Sequence, residues 1–164
     1  MSGRTRFMGI DPGLRLTGYA CLEGPDDSPR IIEAGVFRLA SSKPRPVSDR
    51  LLELHADLAE AIERLHPDVV GVESFFVHPK HPATSVTMAH ARGVVLLAIR
   101  QAGLPLVEFK PNLIKRAMTA HGLASKGQMQ RAVQSMFDLP EPPSPPDVAD
   151  AIAIALCAAR RHGM

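Results

Sequence analysis

The sequence predicts an α/β protein built on one mixed five-stranded sheet with helices on both faces. Three observations carry that prediction. Three strand-like runs come first, at residues 7–11, 17–22 and 31–39. Strands then alternate with helical segments, the order expected of a sheet covered on both sides. Finally, Val69-Val70-Gly71-Val72-Glu73 is a near-continuous valine run, the signature of a strand buried on both faces.

Each element has a local reason. Residues 7–11 and 17–22 are apolar runs joined by Pro12-Gly13-Leu14-Arg15, which reads as two strands and a tight turn. A cluster of turn formers, Gly24-Pro25-Asp26-Asp27-Ser28-Pro29, precedes the third strand at 31–39. Leu51, Leu54, Leu58, Ile62 and Leu65 fall at helical spacing, so 48–65 is a helix, with Ser48 or Asp49 as its cap and Pro67 ending it. The valine strand spans 68–73. A loop with two Pro and two His follows at 75–82, then a second long helix at 83–102 and a short strand at 104–109. Two shorter helices, 111–121 and 126–137, flank Gly122-Leu123-Ala124-Ser125. Residues 139–146 hold five prolines in eight positions and read as extended. An Ala-rich helix at 148–161 completes the order. No internal repeat and no long linker divides the chain, so residues 1–164 are expected to form one domain.

Composition narrows the class. Hydrophobic residues are 45% and charged residues 22%, as in an ordinary globular protein. Aromatics are 4% and Trp is absent, so the core must be aliphatic. The N-terminal residues lack the apolar stretch of a signal peptide, and the apolar run near 94–99 is too short to span a bilayer. Cys21 and Cys157 sit in apolar contexts and make no ligand motif, which reads as two reduced core thiols and a cytoplasmic setting. The net charge of +2 conceals an asymmetry. Residues 74–137 contain eight Lys and Arg, four His and one acid, Glu108, which puts +7 there and −5 on the rest. A long acid-poor stretch predicts a cationic face for a polyanion.

Four acids stand in unusual contexts. Asp11 closes a strand in Phe7-Met8-Gly9-Ile10-Asp11-Pro12-Gly13, and Glu73 closes the valine strand. Asp-Pro-Gly is ordinary turn chemistry, and a strand-terminal Glu often reaches solvent, so neither is decisive alone. Asp147 and Asp150 lie where the Pro-rich stretch enters the last helix. Ser144-Pro145-Pro146-Asp147 matches a capping box, and Asp147 also answers the helix dipole. Asp150 is harder to explain that way. It shares a face with Asp147, and two acids on a packed helix repel unless a cation lies between them. Buried strand-end charges need compensation, and clustered carboxylates suit hard divalent cations. Of Phe75 and Phe76, one is expected in the core; the other, if exposed, is placed to stack on a base. The His residues show no zinc-ligand spacing with Cys.

These residues resemble a known family. Gly9-Ile10-Asp11-Pro12-Gly13 with Thr17-Gly18-Tyr19 is similar to the opening of the RuvC-type Holliday junction resolvases. The likeness continues through Glu73 with Phe76, Ala91-Arg92-Gly93-Val94, Lys115, Ala124-Ser125-Lys126-Gly127-Gln128 and Asp147-Val148-Ala149-Asp150-Ala151. It runs from about residue 6 to 160 in one order. The resemblance implies a ribonuclease H-like fold and a bacterial homodimer that nicks two opposing strands of four-way junction DNA in recombination and repair. It implies Mg2+ or Mn2+, two ions per site, and a partnership with the RuvA–RuvB branch-migration complex. It carries Asp11, Glu73, Asp147 and Asp150 across as catalytic, metal-binding acids. Phe76 is carried across as a base-stacking aromatic, and Lys115 and Lys126 as DNA contacts. Ser74 stands where Gln or Glu is common, Ala120 where Gly is common, and Lys80-His81-Pro82 alters the loop after Phe76.

On this reading the acids hold two ions roughly 3.5–4 Å apart for in-line hydrolysis. Helix 83–102 is the candidate dimer interface. Three rivals remain to be weighed. A ribonuclease H-like enzyme acting on RNA would share the acids. An actin-like nucleotide-binding fold needs two such domains and a longer chain. A non-catalytic junction binder would have no use for four acids.

Overall fold

A computed structural model describes residues 4–74, 77 and 79–164. Five strands and five helices occur in the expected order: β1 (Arg6–Asp11), β2 (Leu16–Glu23), β3 (Arg30–Arg38), α1 (Val47–Leu65), β4 (Val69–Glu73), α2 (Pro82–Gln101), β5 (Leu106–Phe109), α3 (Pro111–Thr119), α4 (Lys126–Met136) and α5 (Pro146–His162). The strands form one mixed sheet in the order β3-β2-β1-β4-β5. The β1–β2 and β2–β3 pairs are antiparallel, whereas β4 runs parallel to both β1 and β5. Ile10 pairs with Val72, so Asp11 and Glu73 end neighbouring strands at the same level.

Strand alternation sorts the side chains into two layers. Met8, Ile10, Val70 and Val72 pack with α1 and α2 on one face. Phe7 and Val69 point to the other face, into a core shared with α3, α4 and α5. Continuing the alternation puts Asp11 and Glu73 on that second face, under α5.

The closeness of α5 to the sheet comes from glycine. A Cβ on Gly9 would lie 2.1 Å from the Ala151 carbonyl oxygen, and one on Gly18 would lie 2.2 Å from that of Asp147. Gly71 completes the floor beneath Ile154 and Ala158. Small residues on both surfaces let backbone meet backbone. Every residue from Ala151 to Ala159 is buried.

Two helix starts differ from the sequence reading. The N-cap of α1 is Pro46, with no side-chain cap, instead of Ser48 or Asp49. The N-cap of α5 is Pro145, also without a side-chain cap, so the Ser144 capping box does not form. In both cases the chain enters the helix from a proline already extended, and the helix begins earlier. The capping box that does form belongs to α4, between Ser125 and Gln128.

The sequence reading also set aside membrane spans. By length and composition α2 is nevertheless apolar enough to cross a bilayer. It packs instead on α1 and the sheet through Ala91, Val95, Ala98 and Ile99. Both cysteines are buried and unpaired, as expected, and burial pushes each thiol up to about 11.

Candidate active site

The four acids are brought together from the ends of β1 and β4 and the first two turns of α5. All four are half-buried. Asp11 is central. Burial, then Asp150, Glu73 and Asp147 in that order, raise its pKa well above the usual carboxylate range, while Lys126 opposes them. Asp150 is pushed up to about 6 by burial and by Asp147, against Lys126 and Lys115. Glu73 is pushed up to about 7 by burial and by Asp150, against Lys115 and Arg92. Burial is the larger cause of these shifts, and the mutual repulsion of the acids adds to it.

The acids line two adjoining cavities. One, of about 550 Å³, is lined by Glu73, Ser74, Arg92 and the first turns of α2. The other, of about 700 Å³, is lined by Asp147, Asp150, Lys126, Arg15 and Arg38. Asp11 and Pro12 border both. The arrangement is close but not closed. Among the described residues no three His, Cys, Asp or Glu side chains are gathered as a ready-made metal cage.

Lys115 and Lys126, the two lysines singled out by resemblance, both act on the acids: Lys126 on Asp11 and Asp150, Lys115 on Glu73 and Asp150. Lys126 is the first residue of α4, where the helix dipole disfavours a cation. That cost is offset by the facing carboxylates. The Ser125 capping box fixes the position, with Gln128 N–H donating to Ser125 Oγ at 3.2 Å and Ser125 N–H to Gln128 Oε1 at 2.7 Å.

In the sequence Arg92 stands in a cationic stretch and in the Ala91-Arg92-Gly93-Val94 likeness, neither of which shows what it contacts. In the fold it donates to the Glu73 carbonyl oxygen at 2.7 Å and also pairs with Glu108. It thereby ties α2 to the end of β4. No sequence signal distinguishes it, because its reach depends on how α2 lies across the sheet. Ser74 closes the β5 end, donating from its N–H at 2.7 Å and its Oγ at 3.0 Å to the Phe109 carbonyl. Ala120, at the C-cap of α3, has φ 63°, a left-handed conformation that favours glycine. Phe76 lies outside the described residues.

Comparison with known proteins agrees with this geometry. The family model for the crossover junction endodeoxyribonuclease RuvC matches residues 7–158. The RuvC of Rhodopirellula baltica is 43% identical over 153 residues, covering 92% of this chain and 84% of its own length. That of Chloroflexus aggregans is 42% identical, covering 93% and 91%. Among solved structures, the Thermus thermophilus RuvC in complex with Holliday junction substrate superposes with a TM-score of 0.84, at 30% identity and 97% coverage of both chains. The yeast mitochondrial resolvase Ydc2, at 16% identity and a TM-score of 0.66, shares the fold. That fold is ribonuclease H-like. The chain belongs to the RuvC family of crossover junction endodeoxyribonucleases.

Proposed function

We propose that this chain is a structure-selective endonuclease that resolves four-way (Holliday) DNA junctions by paired symmetric nicks, in homologous recombination and repair, and that residues 1–164 form one nuclease domain. A single observation carries the reading: Asp11, Glu73, Asp147 and Asp150 confront one another at the sheet end, with Lys115 and Lys126 beside them.

The family's chemistry is metal-dependent hydrolysis, and the donor set fits a hard divalent cation. It is all carboxylate oxygen, and burial together with neighbouring acids raises the pKa values of Asp11, Glu73 and Asp150, a cost that a bound cation would relieve. The four acids would hold two Mg2+ or Mn2+ ions, which supply a nucleophilic water and stabilise the departing 3′-oxygen. Asp11, which borders both cavities, would serve as a metal ligand there. Glu73 approaches from the β4 side, and Asp147 and Asp150 from α5. Lys115 and Lys126 hold phosphate oxygens of the bound strand and keep the acids charged. The products carry 5′-phosphate and 3′-hydroxyl ends. Phe76 stacks on a base at the junction centre.

Two such sites require a C2 dimer. α2 supports one: Val86 is 58% exposed and Leu97 53% exposed, and nothing lies within 4 Å of a Cβ built on Gly93 between them. Sedimentation at micromolar concentration tests this; a monomer throughout would remove α2 as an interface. The reduced buried thiols fit a bacterial cytoplasm, where the RuvA–RuvB complex is the natural partner.

The deciding experiment compares divalent-ion-dependent cleavage of a four-way junction, a linear duplex and an RNA–DNA hybrid. The expected result is symmetric nicking of the junction alone. Asp11→Asn should bind the junction and not cut it. Cutting of RNA with indifference to junctions would overturn the assignment.

A further inference from the structure

The basic stretch at residues 74–137 contributes Lys126 to the 700 Å³ cavity, and that cavity runs on from Asp11, Asp147 and Asp150 out to Arg15 and Arg38, which lie outside the stretch. It adjoins a third cavity, of about 450 Å³, with which it shares Arg15, Ala40 and Thr87. No acid lines that third cavity, whereas Lys43, Arg45 and Arg50 do. We propose that Arg15, Arg38 and Lys43 form a second cationic track, which grips the sugar-phosphate backbone of the cleaved strand as it leaves the acids across the β1–β2 turn. This rests on the DNA-cleaving function above.

The bases divide into two groups. Arg45 pairs with Glu53 at 2.5 Å, and Arg50 donates twice to the Leu14 carbonyl, at 3.2 and 2.7 Å. These two build the groove wall. Arg15, Arg38 and Lys43 are exposed, and among the described residues none has a carboxylate within 4.0 Å. An unpaired surface base is ordinary. Three of them along one groove that begins at a carboxylate cluster are not, because that groove otherwise repels a polyanion.

The turn that carries Arg15 is also fixed in advance. Thr17 Oγ1 donates to the Gly13 carbonyl at 2.6 Å and accepts from Gly13 N–H at 3.1 Å. The Arg15 carbonyl accepts from Leu39 N–H at 2.9 Å and Ala40 N–H at 3.2 Å. These bonds tie the turn to the end of β3, so Arg15 and Arg38 hold their separation without a ligand. A strand lying over the acids is then held by cations on both sides of the cut.

The test is junction binding by the triple variant R15Q/R38Q/K43Q, with Ca2+ in place of Mg2+ and salt varied. R4Q, near the opposite end of β1, serves as the charge control. The triple variant should melt as the unaltered protein does and bind at least tenfold more weakly at moderate salt. Its log–log salt slope should fall by about 2 to 3, near 0.9 for each phosphate no longer neutralised. Hydroxyl-radical footprints should lose protection on one side of the cut only, a change that misfolding would not produce. Should the triple variant fold poorly, K43Q alone should lower the slope by about 1. Unchanged affinity and slope in variants of a protein that still binds and cuts junctions would overturn the track and leave the nuclease assignment standing. An unaltered protein that neither binds nor cuts junctions would overturn both.

Discussion

Gly9 lies directly beneath Ala151, so close that a Cβ there would fall 2.1 Å from the Ala151 carbonyl oxygen and 2.4 Å from the Ala155 nitrogen. The atoms in the way are backbone and cannot rotate aside. Gly9→Ala must therefore lift α5, and with it Asp147 and Asp150. Overpacking of this kind costs about 1–3 kcal/mol or more. The expected outcome is a lower melting temperature together with lost junction cleavage. A variant that melts normally and still cuts would mean that α5 can shift without disturbing the acids.

The raised carboxylates predict an unusual pH dependence for the metal-free protein. Asp150 titrates near 6 and Glu73 near 7 in the fold, above their ordinary values of 3.8 and 4.5. Folding thus favours their protonated forms, so stability is highest below the ordinary pKa and is lost as pH rises through 6 to 7. Asp150→Asn should stabilise the metal-free protein at pH 8 by on the order of 1–3 kcal/mol. It should also abolish cleavage and blunt the stabilisation given by Mg2+. Denaturant melts with and without the ion check this, and a destabilised Asp150→Asn at pH 8 would contradict it.

Lys126 sits between the acids and the proposed DNA path. Lys126→Ala should weaken junction binding and lower the salt slope by about 1. It should also raise the pH needed for cleavage, because Asp11 and Asp150 lose a charge that lowers their pKa values. An unchanged slope would take Lys126 off the phosphates.

Ala120 holds φ 63° at the end of α3. A left-handed alanine costs about 1 kcal/mol relative to glycine. Ala120→Gly should therefore stabilise the protein by about that amount, read as a shift in denaturant midpoint with cleavage unaffected. A lower midpoint would mean that chain entropy outweighs the relieved strain.

Much of this was legible before any coordinates. The valine run gave β4, and helical leucine spacing gave α1. The acids ending β1 and β4 fall on one face because strand periodicity is strict and Ile10 pairs with Val72. Caps were less legible. A side-chain cap contributes about 1 kcal/mol, and a proline, Pro46 or Pro145, took the N-cap position in place of Ser48 and Ser144. Arg15, Arg38 and Lys43 were invisible for a different reason. They lie in the part of the chain whose net charge is negative, and charge counted along a sequence is not charge in space.

The site joins a strand near the start of the chain to a helix that leaves the ribosome after every strand it covers. Until α5 emerges, the glycine floor of Gly9, Gly18 and Gly71 is bare and half the acid quartet is missing. A product stalled before α5 therefore lacks Asp147 and Asp150, two of the four acids to which we assign metal binding.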